Sequence, residues 1–572
     1  MAISIVPPQN SQSIIHVGID LGTTNTVIAS SKAPKPGKIP KAKIRDIKQY
    51  VDAKNQGDMP YLPSVLFLDA EGKVKVGKYA HDRKDMGADR RILYNTKIDM
   101  GKPGTVYQYD FTPVKAATEI LKVCYDTIRR DIMLKDSTFP SVTITVPASF
   151  NQNQIHDTRD AARQAGFENV SILEEPVAAL YNYINDQNLS GDETAVDFSE
   201  TKRVLVYDIG GGTCDVCVVD LKIEEDTYDI HFVVTGRYTE FGGNDFDEQV
   251  AICLLNKLFK RYEIKAESVS NIREDLVARV LPFCEQYKKD YSDQLNLGFT
   301  ADEVRDTLFA SLPKFIGDIE NVELDVTYKE YEEFTKVFFN DSYRHPNRDL
   351  TDKLRDKNVF RPVHQILKKL KDMGERNIDC VFLTGGMSRY LPIETALKNF
   401  CKCPIIKSEE PMQAVALGAA ISKFVKERKY KDDLINIQED ADTEEEKNSE
   451  PVAYSLDERP RLAEAIFIDV ENQLPMKIID ANITIPCKGT VDHVFHVGAN
   501  GVRFHLFAGQ NQWDPEMRIL YDYAQTFKAL VRPNTTAHIT YEIDEDRVLK
   551  LKLLLDDNFK QEFDLMVDSI ES

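Results

Sequence analysis

Apolar runs that end in glycine-rich turns recur through the first 428 residues of the chain. Four of them read IIHVGIDLGTT, SVTITVPA, RVLVYDIGGGT and DCVFLTGG, and they alternate with helix-like stretches such as QIHDTRDAARQAG and PMQAVALGAAISKFV. Buried, largely parallel strands that alternate with helices are typical of an α/β fold. The alternation stops near Arg428, so we expect one α/β domain over 14–428.

The pattern changes twice beyond that point. Residues 429–460 include seven acidic residues within QEDADTEEEKNSE and few apolar ones, which predicts an acidic linker. From 461 to 556, short alternating segments such as AIFIDV, VRFHLFAG and VLKLKLLLD are separated by Gly, Asn, Pro and Asp. This pattern predicts a small antiparallel β-sandwich. Residues 557–572 remain as a short C-terminal tail, long enough for one short helix.

Length and composition restrict the kind of protein. The 572 residues are enough for more than one hydrophobic core, since single cores stop growing at roughly 250–300 residues. No apolar run approaches the roughly 18 residues that span a bilayer, so we expect no membrane insertion. A formal charge of −21 disfavours nucleic acid as a partner. The one basic stretch, 32–54, fits a solvated loop, and binding of an anionic partner there stays open.

The N-terminus and the cysteines indicate where the protein works. MAISIVPPQNSQS has neither a basic region nor a long apolar region, so we expect no secretory signal. Nine scattered cysteines, an odd number, fit reduced thiols better than a disulfide framework. We therefore expect a cytoplasmic protein.

Two strand-turn motifs, nearly 190 positions apart, carry the strongest chemical signal. They are Gly18–Thr24 (GIDLGTT) and Tyr207–Thr213 (YDIGGGT), with Asp215 just beyond the second. In each, an apolar strand brings an aspartate to its C-terminal end, and glycines then let successive N–H groups point at phosphate oxygens. Asp20 and Asp208, facing one another across a cleft, could hold a hydrated Mg²⁺. For either motif alone, a tight turn after a buried strand is the alternative.

A third apolar strand, Val381–Arg389 (VFLTGGMSR), ends in paired glycines that would let a flat base or ribose lie against bare backbone. Neither GxGxxG nor a Walker lysine motif is present, which disfavours a dinucleotide enzyme and a P-loop NTPase.

Several cysteine and histidine patterns favour ordinary structure over a metal site. Cys214 and Cys217 form a CxxC, but on a strand they would point to opposite faces. Cys401 and Cys403 could approach each other, yet no second ligand pair follows nearby. The ten histidines form no HExxH or similar cluster.

The motifs together point to a family. DLGTTNT, YDIGGGTCDV and LTGGMSR, with TVPASFN, LEEPVAA and FGGNDFD, resemble in order and spacing the ATPase domain of the seventy-kilodalton heat-shock chaperones. The resemblance runs from about Ile15 to Val425. It implies an actin-like domain of two halves around a nucleotide cleft, with ATP or ADP and Mg²⁺ as cofactors and slow hydrolysis of ATP. Beyond the linker, NITIPCKGT, VRFHLFAGQNQ and ITYEIDEDRVLKLKLLLD look like parts of the family's β-sandwich, which implies that this domain holds extended peptides.

The resemblance assigns roles residue by residue. Lys97 would stabilise charge on the transferred phosphoryl group, and Thr213 would help to place the attacking water. Glu175 would lie near the metal, which Asp20 and Asp208 would hold through water. The expected nucleotide contacts are Gly22, Thr23, Thr24, Asn25, Gly210, Gly211, Gly212, Thr213, Asp215, Gly242, Gly243, Glu285, Lys288, Lys289, Gly385, Gly386, Met387 and Arg389.

Alternatives stay open for some of these residues. Lys97 matches the family over a short stretch only, so a surface lysine is the alternative. Glu285 and Lys288 share one face of a predicted helix, where a solvent-facing ion pair is the alternative to contacts with adenosine.

The chain also departs from the family pattern. Ile155 stands where the family usually has an arginine beyond its switch proline, here Pro147. Met387 and Met412 replace polar residues usually found near the nucleoside. The apolar interdomain linker has no clear counterpart, and no helical lid fits after the β domain, so we expect bound peptide to exchange quickly.

We expect an ATP-dependent chaperone-like monomer that couples ATP hydrolysis to binding of unfolded or extended polypeptide. The resemblance implies a J-domain co-chaperone and a nucleotide-exchange factor as further partners. A β domain that only packs its own core is one alternative. Others are an ATP-sensing scaffold or filament-forming actin-like protein, and a small-molecule kinase of the same superfamily, which the chaperone motifs disfavour.

Overall fold

A computed structural model describes residues 15–427, here the N-terminal part, and 465–566, here the C-terminal part. Within them the gaps are 35–38, 70–72, 85–90, 103, 132–139, 151, 169, 191–195, 225–226, 237–238, 301, 305–309, 341–356, 470–475, 481–482, 484–486, 495–498, 510–517, 533–534, 544–548 and 557–561. The acidic linker expected at 429–460 lies outside the described residues.

Strands and helices alternate along the N-terminal part, which confirms the prediction of a mixed α/β fold. The strands there are β1 (Ile15–Leu21), β2 (Asn25–Lys32), β3 (Ala42–Arg45), β4 (Ile47–Tyr50), β5 (Gln56–Met59), β6 (Leu62–Pro63), β7 (Leu66–Leu68), β8 (Val74–Val76), β9 (Ile92–Leu93), β10 (Ser141–Val146), β11 (Val170–Glu174), β12 (Lys202–Ile209), β13 (Cys214–Glu224), β14 (Thr227–Thr235), β15 (Ala310–Ile316), β16 (Ile319–Leu324), β17 (Cys380–Thr384), β18 (Ile405–Lys407) and β19 (Lys426–Glu427). The helices are α1 (Lys78–Lys84), α2 (Pro113–Asp131), α3 (Gln152–Ala165), α4 (Glu175–Ser190), α5 (Gly243–Arg261), α6 (Arg273–Asn296), α7 (Tyr328–Thr335), α8 (Phe360–Asp372), α9 (Leu391–Cys401) and α10 (Pro411–Ile421).

Two of the sheets share the arrangement of five strands. The first has the order β11-β10-β1-β2-β3, and the second has the order β18-β17-β12-β13-β14-β19. In both, two strands run parallel to the strand that carries the aspartate motif, and a meander of antiparallel strands follows on the other side. Because parallel strands share one direction, their carboxyl ends lie at one edge of each sheet.

Two helices join these sheets. Helix α4 follows the first sheet in sequence but packs in a core with strands of the second, while α10 lies between β18 and β19 of the second in sequence and packs against β1 and β2 of the first. The two helices approach very closely, since a Cβ built on Gly418 would lie 1.7 Å from the carbonyl oxygen of Ala178. Glycine is therefore the residue that allows this contact.

The middle of the second sheet separates two cores. Cys214 packs with residues of α5 and α6, whereas Cys217 packs with residues of α4 on the other side of β13. The two thiols therefore point to opposite faces of the strand, which confirms the sequence prediction.

Two segments of the basic stretch 32–54 are strands and not the solvated loop that we expected. Its charged side chains alternate with less exposed positions in β3 and β4, and Ile47 and Gln49 of β4 are buried. β3 completes one edge of the first sheet, and β4 pairs with β5. Alternation of lysines with apolar residues thus marks strands here.

The described residues of the C-terminal part form two antiparallel sheets, ordered β21-β20-β23-β24 and β22-β25-β26-β27. Their strands are β20 (Ala465–Asp469), β21 (Met476–Ile479), β22 (Cys487–Val494), β23 (Ala499–Gly509), β24 (Arg518–Val531), β25 (Thr536–Ile543), β26 (Leu549–Leu555) and β27 (Glu562–Met566). Ile466 and Leu506 of one sheet share a core with Ile539 and Leu553 of the other. β27 lies within 557–572, which we expected to be a short tail beyond the β domain, and it pairs with β26.

Candidate functional site

The carboxyl ends of parallel strands from both sheets open into one cleft of about 590 Å³. Asp20 of β1, Pro147 after β10 and Glu175 after β11 line it from the first sheet. Asp208 of β12 and Gly385 after β17 line it from the second. Carboxyl ends of parallel strands are the usual place for a ligand in α/β proteins.

The two predicted glycine turns meet in this cleft. Each one links the two strands of an antiparallel hairpin, and in the second the N–H of Gly210 donates to the carbonyl oxygen of Thr213 at 2.9 Å. A Cβ built on Gly211 would lie 2.1 Å from Oγ1 of Thr24 in the first turn. The turns are therefore in direct contact, and a bare backbone at Gly211 is what allows it.

The backbone at the start of α5 is hydrogen-bonded to the second turn. The N–H groups of Gly243 and Asn244 donate to the carbonyl oxygens of Gly210 (3.0 Å) and Gly211 (2.6 Å). A Cβ built on Gly242 would lie 2.7 Å from the same Gly210 oxygen. These contacts fix the turn without using any side chain.

The third predicted glycine pair lies against the second aspartate. Gly385 has a positive φ of 82°, and a Cβ built on it would lie 2.4 Å from Oδ1 of Asp208. A side chain at Gly385 would therefore be strained and would collide with the carboxylate.

The carboxylates of the cleft repel one another in a dry environment. Burial, and next the charge of Glu175, raises the pKa of Asp20 to about 7. Burial and the charges of Glu175, Asp20 and Asp215 raise the pKa of Asp208 well above its usual range. Burial also raises the pKa of Asp215 to about 6. A bound cation would relieve this repulsion.

Lys97 lies inside the cleft and not on the surface. Its Nζ is 2.6 Å from Oε1 of Glu175, and the two side chains are only 9% and 13% exposed. The ammonium group also lies 5.5 Å from the centre of the Phe150 ring. Glu175 is the first residue of α4, where the helix dipole favours a carboxylate.

Some buried oxygens of the cleft lack a protein partner. The N–H of Ala148 donates to Oδ2 of Asp215 at 2.7 Å. Oδ1 of Asp215 and Oγ1 of Thr24 are buried with no hydrogen-bond partner among the residues described. Polar atoms in this situation are candidates for binding a ligand or water.

The ion pairs that Lys288 and Lys289 of α6 form differ from the pairing considered from the sequence. Lys289 contacts Glu285, four residues before it, at 2.6 Å. Lys288 instead donates to Asp247 at 2.6 Å and to the carbonyl oxygen of Gly243 at 2.9 Å. Although burial opposes it, the charges of Lys289 and Lys288 lower the pKa of Glu285 to about 2. Arg389 is 3.1 Å from Asp293.

The structure brings nearly all of the expected site residues together. Every one of them lines the cleft except Gly212 and Gly242, which lie directly behind it. Sequence reasoning missed the lining residues Val27, Tyr61, Pro63, Lys78, His81, Asp82, Asn244, Asp247, Ser292, Asp293, Tyr390, Pro411 and Val415. Asn244 and Asp247 belong to the FGGNDFD motif and could have been found there. Tyr61 and His81 come from segments without a motif.

The described parts of the chain hold neither a direct metal site nor a helix that could span a membrane. No group of three or more His, Cys, Asp or Glu side chains is arranged as a direct metal site. Every described helix is too short or too polar to span a bilayer.

Two similar sheets therefore each present an aspartate and a glycine turn to one shared, carboxylate-lined cleft. The chain belongs to the Hsp70 family, since the family model described as "Hsp70 protein" matches residues 77–439. This confirms the resemblance of the motifs. The chain is also 29% identical over 417 residues to "Chaperone protein DnaK" of Thermosipho africanus. That match covers 72% of this chain and 58% of the relative, so the chain spans less than two thirds of its length.

Proposed function

We propose that the chain binds ATP with Mg²⁺ in the cleft and hydrolyses it slowly. The observation that carries the proposal is the position of Asp20 and Asp208, at the ends of equivalent strands in two sheets with the same order, on one cleft. This repetition supports an actin-like domain over 14–428, with one half built around each sheet. Family membership supports the same reading.

The residues present fit a nucleotide with Mg²⁺. Burial raises the pKa values of Asp20 and Asp208, and the charges of neighbouring carboxylates raise them further, so a divalent cation would stabilise the ionised forms. Mg²⁺ usually takes one or two carboxylates, keeps several waters and would neutralise charge on the phosphates. The glycine turns offer N–H groups and room for phosphate oxygens, and Oγ1 of Thr24 is free to donate to one.

The chain's own side chains would act mainly by electrostatics and positioning. Lys97, held by Glu175, places a positive charge beside the carboxylates, where charge on a transferred phosphoryl group would gather. Thr213 would orient the attacking water from the second turn. Met387 and Met412 also line the cleft and offer apolar surface to a base.

The C-terminal part would bind unfolded or extended polypeptide as a small β-sandwich, here taken as 461–556 with β27 added. Its two sheets leave edge strands, β22 among them, to which an extended peptide could add by backbone pairing. The printed name of the relative, a chaperone protein, supports this proposal. Nucleotide binding would alter the angle between the two sheets and reach the β domain through the linker at 429–460.

The proposal also includes further protein partners, a cellular location and an oligomeric state. A J-domain co-chaperone and a nucleotide-exchange factor would adjust the cycle, and the protein would act as a cytoplasmic monomer.

Phosphate release from ATP tests the catalytic site. We expect Asp208→Asn and Lys97→Ala to abolish hydrolysis, because each removes a charge that faces the reacting phosphate. Lys102→Ala is the matched control, since Lys102 is half exposed and paired outside the cleft with Asp99. Wild-type rates in both cleft variants would overturn the assignment.

Fluorescence anisotropy of a labelled, extended hydrophobic peptide tests the chaperone part. We expect the peptide to bind and to be released promptly when Mg-ATP is added. Nucleotide hydrolysis without any peptide binding, together with concentration-dependent light scattering, would instead indicate an ATP-sensing scaffold or filament.

A further inference from the structure

Two cysteines separated by one residue lie between α9 and β18, away from the cleft. Cys401 is the last residue of α9, and Cys403 lies two residues before β18. Lys402 between them is in the left-handed helical conformation, with φ 56° and ψ 35°. Its N–H donates to the carbonyl oxygen of Lys398 at 3.0 Å and so closes the helix.

This backbone conformation sets the distance between the two cysteines. A helix with a radius of about 2.3 Å, about 100° per residue and a rise of about 1.5 Å places Cα atoms two positions apart at about 5.4 Å. The left-handed conformation is the mirror image and gives the same distance. Disulfides join Cα atoms roughly 4.4–6.8 Å apart, so the backbone places the Cα atoms of Cys401 and Cys403 within the range that a disulfide requires.

The two thiols already interact. Cys401 donates a hydrogen bond to the sulfur of Cys403, which lowers the pKa of the Cys403 thiol although burial and the carboxylate of Asp379 oppose it. The same hydrogen bond and burial raise the pKa of Cys401. Both cysteines are partly exposed, and Lys402 between them is exposed. Because the thiolate is the reactive form, Cys403 is the attacking sulfur of the pair.

We propose that Cys401 and Cys403 are a redox-active dithiol that low-molecular-weight disulfides, such as glutathione disulfide, oxidise to an intramolecular disulfide. The Cys403 thiolate attacks one sulfur of glutathione disulfide, whose S–S bond breaks and releases one glutathione thiolate. Cys401 passes its proton to that thiolate and attacks the Cys403 sulfur, releasing the second glutathione. The protein loses two electrons, which reduce one glutathione disulfide to two thiols.

The site is separate from the nucleotide cleft. The turn is fixed to the start of β17, where the N–H of Val381 donates to the carbonyl oxygen of Pro404 at 2.9 Å. The cleft lies at the opposite end of that strand, beyond Thr384. The proposal therefore holds or fails independently of ATP binding.

Trypsin gives a direct readout because it cuts after Lys398, Lys402 and Lys407. We incubate the full chain with excess glutathione disulfide, block free thiols by alkylation and analyse the peptides by mass spectrometry. The expected product is NFCK joined to CPIIK by a disulfide, or uncut NFCKCPIIK lacking two hydrogens. Alkylated, separate peptides from the oxidised wild-type chain would overturn the proposal.

Single variants test the order of the two steps. Cys401→Ser should accumulate glutathione on Cys403, because the resolving thiol is gone. Cys403→Ser should take up glutathione on Cys401 at least about tenfold more slowly, because thiolate supply limits the rate. Cys253→Ser, at another partly exposed cysteine, should form the disulfide like the wild type. Equal glutathione uptake by the two single variants would refute the assigned roles.

Discussion

Replacing Lys97 with methionine keeps most of the side-chain length but removes one charge from a buried ion pair. Lys97 and Glu175 are 2.6 Å apart and almost fully shielded from water. At an effective dielectric constant of about 20, two unit charges at this distance attract by about 6 kcal/mol. Relief of lysine desolvation offsets part of this loss, and breaking buried pairs generally costs about 3–5 kcal/mol. We expect Lys97→Met to lower the free energy of unfolding by about 3 kcal/mol.

The partner variant separates the ion pair from other effects. Glu175→Gln leaves the ammonium of Lys97 buried without its carboxylate, so it should also destabilise the protein. The double variant should be clearly more stable than the sum of the two single effects predicts, with a coupling of at least about 2 kcal/mol, because no unpaired charge of the pair remains.

Urea unfolding can follow the two parts of the chain separately. The described helices all lie between Lys78 and Ile421, so helical circular dichroism reports on the N-terminal part. The single tryptophan, Trp513, falls in the C-terminal part of the sequence and reports on it by fluorescence. In Lys97→Met, the unfolding transition followed by circular dichroism should move to a lower urea concentration, and the transition followed by fluorescence should stay where it is. An unmoved transition, or a double variant equal to the sum of the single ones, would refute the reasoning.

Two further predictions follow from buried positions. Burial and the charge of Lys423 lower the pKa of His16 from 6.5 to about 4. As the pH falls, the imidazole of His16 is therefore protonated in the unfolded chain at a higher pH than in the folded chain. Stability should fall as pH drops from 6.5 towards 4, by up to about 3 kcal/mol, and the difference between wild type and His16→Gln in urea midpoints should track this loss. Gly418→Ala should cost about 1–3 kcal/mol in the same assay, because its Cβ has no room beside α4, while Gly386→Ala should change stability little.

The sequence revealed the parts of the site that are local. Asp20 and Asp208 follow continuous apolar strands and precede glycine turns, so their position at a strand end could be read directly. The motif occurs twice in the sequence, and the two sheets that carry it share the order of five strands. The contact between Gly211 and Thr24 agrees with two turns that face one ligand.

The parts that escaped prediction depend on contacts between distant segments. Lys288 binds Asp247, 41 positions earlier, and no helical spacing could reveal that partner. Tyr61 and His81 reach the cleft through tertiary packing alone. β27 was misjudged because a short polar tail carries little hydrophobic pattern, and its pairing with β26 decides its conformation.

Calorimetric titration of ATP, with Mg²⁺ and with a chelator, tests the central claim most directly. The account predicts ATP binding that is strengthened by Mg²⁺ in the wild-type chain. In Asp208→Asn the strengthening by Mg²⁺ should be lost, because one of the two facing carboxylates is gone. Absence of ATP binding by the folded wild-type chain, or an unchanged Mg²⁺ effect in Asp208→Asn, would contradict it.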